Sequence, residues 1–140
     1  MEVFTDEWAK TWQVELNKSE QYRTSATTWE WPLALKMQRD PSVGVPEDRA
    51  ILLDLYHGQC RDARVVSTED LSSATYVISA DPYTWKQIFE RKLEPISSIM
   101  RGKLALEKGN MSTLSQYVMA AKHLVECALS AGGEMPEGLK

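Results

Sequence analysis

The sequence has little with which to do covalent chemistry. Its 140 residues hold two cysteines, Cys60 and Cys127, and two histidines, His57 and His123. So few thiols build no disulfide framework and suit reduced cysteines in a cytoplasmic protein. No apolar run approaches the roughly 20 residues that cross a bilayer. The opening stretch, MEVFTDEWAK, lacks the basic and apolar regions of an export signal, and the closing EGLK is not the peroxisomal tripeptide. There is no glycine-rich phosphate loop, nucleophile elbow or CxxC pair. A net charge of −4 argues against a general nucleic-acid binder.

Each histidine lies near one cysteine, as His57-x-x-Cys60 and His123-x-x-x-Cys127. Two histidines and two cysteines are a donor set for zinc. However, the second pair falls on a helix face opposite the apolar stripe, and the first straddles a turn. The residues read as incidental, and a metal-dependent enzyme is the weaker alternative. The acidic residues are scattered; Asp6-Glu7 and Glu69-Asp70 suit helix starts, where the dipole favours them. The expectation is a protein without catalysis, metal or cofactor.

What is present is ordinary globular material, 43% hydrophobic and 26% charged, enough for one domain over residues 1–130 with a mobile tail at 131–140. Phe4, Trp8, Trp12 and Leu16 recur every four residues and predict a helix from Thr5 to Ser19, capped by Thr5 or Asp6. From Thr27 to Gln38 the pattern changes to period two. Trp29, Trp31, Leu33, Leu35 and Met37 share one face of a strand, edge-like or irregular at Pro32. Further strands are expected at Ala50–His57, Cys60–Val66, Thr75–Ala80 and Lys103–Lys108, the first two as a hairpin. A closing helix at about 112–130 carries Leu114, Tyr117, Val118, Ala121, Leu124, Val125 and Ala128 on one stripe, with a capping box at Thr113–Gln116. The fold class is α+β: a five-stranded, mainly antiparallel sheet covered by helices, mostly on one face.

The stretch from Asp81 to Asn110 is the most informative. Asp81-Pro82 starts a short helix with Trp85, Ile88 and Phe89 on one side; a second carries Ile96, Ile99 and Met100. Helices this short form only when their apolar faces are buried, in plain core or in the wall of a cavity. From Lys86 to Lys108, six basic residues against Glu90, Glu94 and Glu107 leave an excess of three positive charges. Such a patch is either a solvated face or a meeting place for anionic head groups.

Trp85 with TWKQIF, Pro95 near the start of the second short helix, Gly102-Lys103-Leu104, the Gly109-Asn110 turn and a closing amphipathic helix together resemble the sterol carrier protein type two family. The order of elements fits over nearly the whole chain, and the first helix and Trp29-x-Trp31 look like stand-alone prokaryotic members. Arg91-Lys92 stands where many members have a glycine-containing turn, and Asn110 replaces the usual acidic residue. The resemblance implies an apolar tunnel that binds or transfers a fatty acid, fatty acyl-CoA or sterol-like ligand. Its wall would be Trp85, Ile88, Phe89, Ile96, Ile99, Met100, Leu104, Leu106, Leu114 and Val118. Met111 and Met119 would add adaptable surface, and Leu124 and Val125 would complete a helical lid. Lys86, Arg91 and Lys103 are head-group candidates. The rival is a protein-interaction or dimerisation module, or a subunit of a lipid- or acyl-modifying complex. The expected partner is an apolar small molecule, with transient membrane-surface contact at most, on a monomer or homodimer.

Overall fold

The computed structural model describes residues 1–140. Thr5 ends the N-terminal coil by accepting a hydrogen bond from the Trp8 amide, and Asp6 and Glu7 occupy the positive end of the helix that follows. This helix, α1 (Asp6–Lys18), buries Trp8, Ala9, Trp12 and Leu16. Ser19 closes it and caps the next, α2 (Glu20–Ser25).

Strand β1 (Leu33–Met37) is shorter than the expected 27–38. Proline has no N–H for a ladder, so regular pairing begins only after Pro32. The Pro32 carbonyl instead accepts from the amides of Thr75 and Tyr76. The strand is also central rather than edge-like. It lies between β2 (Arg49–Tyr56), antiparallel, and β4 (Tyr76–Ala80), parallel. With β3 (Gln59–Val66) and β5 (Ala105–Lys108) the order is β3-β2-β1-β4-β5. Three of the four pairings are antiparallel. The parallel pair arises because the 67–75 connection crosses one face of the sheet, where Leu71 and Ala74 cover Ala34, Leu52 and Val77.

The other face carries the main core. Leu33, Leu35 and Met37 of β1, Ile51, Leu53 and Leu55 of β2, and Tyr76, Ile78 and Ala80 of β4 project towards the helices. Period-two alternation puts these residues on one side. Over them lie α1, α2, α3 (Pro82–Phe89) and α4 (Pro95–Met100). Asp81 caps α3 through the Thr84 amide, and Glu94 caps α4 through the amides of Ile96 and Ser97.

The closing segment is broken rather than continuous. It comprises α5 (Met111–Leu114), a 3₁₀ turn at Ser115–Tyr117 and α6 (Val118–Ala131). Tyr117 leaves helical dihedrals (φ −114°, ψ 36°). Its ring packs edge-on against Trp29 at 4.9 Å, and its hydroxyl bonds to Thr28. The first cap is Asn110, which accepts from the Thr113 amide, in place of the expected Thr113–Gln116 box. Just before it, Gly109 (φ +125°) lies against the Tyr76 ring where a Cβ would collide. Residues 131–140, expected as a mobile tail, are docked: Glu134 pairs with Met1 and Val3 through backbone bonds, and Pro136 is fully buried.

Candidate functional site

Between the sheet and the helices lies an apolar cavity of about 70 Å³. Twenty residues line it; nineteen are hydrophobic and the other is Pro95. The floor is built by Leu33 and Leu35 of β1, Leu55 of β2 and Ile78 of β4. Trp12, Tyr22, Ala26 and Trp29 form one side, and the short helices and α6 form the rest. Trp29 packs against Trp31, Tyr76 and Tyr117 at 4.8–5.0 Å. Trp85 stacks on Phe89 at 5.7 Å. Offset and edge-on contacts of this kind hold ring positions well.

The polar edges of the tryptophans are already engaged. The indole N–H groups of Trp12, Trp29 and Trp85 donate to the carbonyls of Leu124, Trp31 and Lys36 at 2.7–3.0 Å. A guest inside therefore meets almost only carbon, and its binding is non-directional burial, worth about 0.8 kcal/mol per CH₂. Ligand sites commonly occupy roughly 300–1,000 Å³, so a long chain enters only if the walls part.

The structure divides the expected wall residues. Trp85, Phe89, Ile96, Ile99, Leu104 and Leu114 line the cavity, as do Leu124 and Val125. Ile88 is fully buried in core instead. Leu106 packs half-buried on the core outside the wall. Met100 and Val118 face solvent, 71% and 41% exposed, and Met119 is exposed as well. Sequence reasoning missed the floor: Leu33 and Leu35 fall on one expected strand face and Leu55 on another, neither read as meeting a void, and Ile78 was not singled out.

None of the three head-group candidates lines the cavity. Lys86 pairs with Glu90 at 3.0 Å and Arg91 with Glu126 at 3.2 Å, while Lys103 is exposed. Lys86 beside Glu90 holds that carboxyl below its usual range. Nor do the His/Cys pairs converge on a metal site. His57 faces Glu30 at 3.5 Å, and His123 meets Glu126 at 2.7 Å. The Cys60 thiol donates to the Asp62 carbonyl, and burial pushes its pKa up to about 12. A neutral, enclosed thiol is a poor nucleophile and a poor ligand.

The fold, a five-stranded sheet under a helical cover, is matched by known proteins. Residues 7–122 fit the profile of the SCP-2 sterol transfer family. The chain belongs to this family. Among solved structures, it is similar to a sterol carrier protein 2 crystal structure at 46% identity and a TM-score of 0.83, covering 91% of this chain and 97% of that one. It is also similar to a conserved hypothetical protein of Thermus thermophilus, described as possibly a sterol carrier protein, at 45% identity and TM-score 0.86, covering 96% and 92%. A ubiquinone synthesis protein, UbiJ-SCP2, shares the fold at 14% identity and TM-score 0.52, covering 83% and 86%. No curated protein matches the chain. As an SCP-2 family member it has the fold of proteins that bind and transfer lipids and are in general non-catalytic carriers.

Proposed function

We propose that this chain binds an apolar lipid, a fatty acyl chain or a sterol-like ligand, in the cavity between sheet and helices, and transfers it without chemical change. The observation that carries the reading is the wall itself: nineteen hydrophobic residues and a proline, with no charged, amide or aliphatic hydroxyl side chain. Such a lining solvates hydrocarbon and offers nothing to activate a reaction. The small volume marks a closed state that swells around its guest. A cavity lined almost wholly by carbon stays dry, so entry of a ligand need not displace ordered water.

Trp12, Trp29 and Trp85 in the wall make the test direct. Delipidated protein titrated with palmitate should show saturable tryptophan quenching at one ligand per chain. Native mass spectrometry should recover the same one-to-one complex. Quenching that never saturates, with no bound mass, would remove the carrier reading.

A further inference from the structure

The cavity wall is not equally buried all round. Fifteen of its residues are buried; the five partly exposed ones are Pro95 and Ile99 of α4, Tyr117, and Ala121 and Leu124 of α6. Pro95 and Ile99 are four residues apart, as are Tyr117 and Ala121, so each set forms a stripe along its segment. The cavity is therefore least covered along the seam between α4 and the start of α6.

Beside that seam the surface is unusual for this acidic protein. Met100 directly follows Ile99 and is 71% exposed, and Val118 and Met119 directly follow Tyr117 and are exposed too. The stretches Pro95–Leu104 and Met111–Val125 contain Arg101, Lys103 and Lys122 and no aspartate or glutamate. All three cations are exposed. They are not neutralised, in contrast to Lys86, Arg91 and Lys92, which pair with Glu90 and Glu126. Uncompensated cations around exposed apolar side chains match an anionic lipid surface, which offers charge at the head groups and hydrocarbon beneath.

We propose that the α4–α6 seam is the face with which this protein docks on an anionic bilayer, so that the cavity opens directly onto the membrane. The proposal rests on the lipid-carrier reading above and adds its partner and its orientation. Three cations and three apolar side chains give a weak, reversible, salt-sensitive contact, as a protein that must leave again requires. Each cation near the surface is worth about a fivefold change in partitioning.

The test is co-sedimentation with vesicles of phosphatidylcholine containing phosphatidylserine, against phosphatidylcholine alone. Wild-type protein should partition onto the anionic vesicles and lose that preference in high salt. The variant R101Q/K103Q/K122Q should bind them about a hundredfold more weakly. None of these residues lines the cavity, so its tryptophan titration with palmitate should be unchanged. A control, R23Q/R39Q/K108Q, alters net charge equally at other residues that form no ion pairs and should partition like wild type. Equal losses in both variants, or no preference for anionic vesicles in the wild type, would overturn the docking face. A dimer in solution that only the R101Q/K103Q/K122Q variant dissolves would assign the face to a second copy instead. Failure of the palmitate titration in wild-type protein would strike the carrier reading, separately from the docking.

Discussion

The floor of the cavity and the seam that closes it are both made of aliphatic side chains, yet they are built in different ways. On the floor, Leu33, Leu35, Leu55 and Ile78 project from three hydrogen-bonded strands and are buried. At the seam, Ile99, Tyr117 and Ala121 belong to short or broken helices and remain half-exposed. Side chains on the floor cannot shift without disturbing the ladder, whereas no strand pairing ties α4 or the first turn of α6 to their neighbours. Sub-global opening concentrates where burial and backbone pairing are weakest. A carrier needs both parts: a fixed surface that recognises hydrocarbon and a cover that yields.

The largest test of this contrast is a pair of truncations. Leu35→Ala should destabilise the fold by about 2–5 kcal/mol, the usual range for a buried leucine. Ile99→Ala removes comparable bulk from the seam and should cost less than about 1.5 kcal/mol, because part of the side chain is already in water. Urea unfolding followed by tryptophan fluorescence measures both. Equal costs would mean that the seam is as firmly packed as the floor.

The two thiols sharpen the contrast chemically. Cys60, on β3, is held neutral mainly by burial, its pKa raised from 9.0 to about 12. Cys127, on α6, is also raised mainly by burial, with Ser19 opposing the shift. A thiol that ionises later in the folded state favours folding, and that advantage is complete below the unfolded pKa. Stability should therefore fall between about pH 9 and pH 12, by at most roughly 1.4 kcal/mol per pH unit for one proton. Cys60→Ala should flatten this slope. Native-state alkylation should label Cys127 well before Cys60; the reverse order would place the weaker structure on the sheet side.

If a guest enters at the seam, plugging it should act on binding more than on folding. Ala121→Leu adds bulk at a half-exposed wall position. It should shift unfolding by less than about 1 kcal/mol. Palmitate affinity should fall by roughly tenfold, equivalent to about 1.4 kcal/mol. A change in stability without a change in affinity would move the entrance elsewhere.

Much of the floor and little of the seam was legible in the sequence, for a physical reason. Strict alternation along Leu33–Met37 and Ile51–Leu55 identifies buried strand faces, and the Thr5 and Asp81-Pro82 signals mark helix starts through local hydrogen bonds. These are short-range properties; the cap at Ser19, which opens a helix the sequence reading did not expect, was not among them. A cavity is a place where side chains fail to meet, and that depends on the summed shapes of segments distant in the chain. Spacing alone thus grouped Met100 with Ile99 and Val118 with Tyr117, although one of each pair faces the void and the other faces water. The break before Val118 was hidden likewise, since it accompanies the packing of Tyr117 on Trp29, far earlier in the chain.

The smallest expected effect concerns the joint between α3 and α4, where Arg91 has φ +61°. Non-glycine residues in this left-handed region lose roughly 1–2 kcal/mol, and the exposed pair with Glu126 at 3.2 Å returns at most about 1 kcal/mol. Arg91→Gly and Arg91→Ala both delete the pair, but only glycine accepts the dihedral freely. Glycine also loses more entropy on folding, about 0.5–1 kcal/mol. Arg91→Gly should therefore lie within about 1 kcal/mol of wild type, with Arg91→Ala about 0.5–1 kcal/mol less stable than the glycine variant. If the ion pair to α6 also holds the seam shut, both variants should take up palmitate faster than wild type in stopped-flow quenching. Faster uptake in neither would leave Arg91 a backbone feature and place the whole resistance to opening in α4 and the first turn of α6.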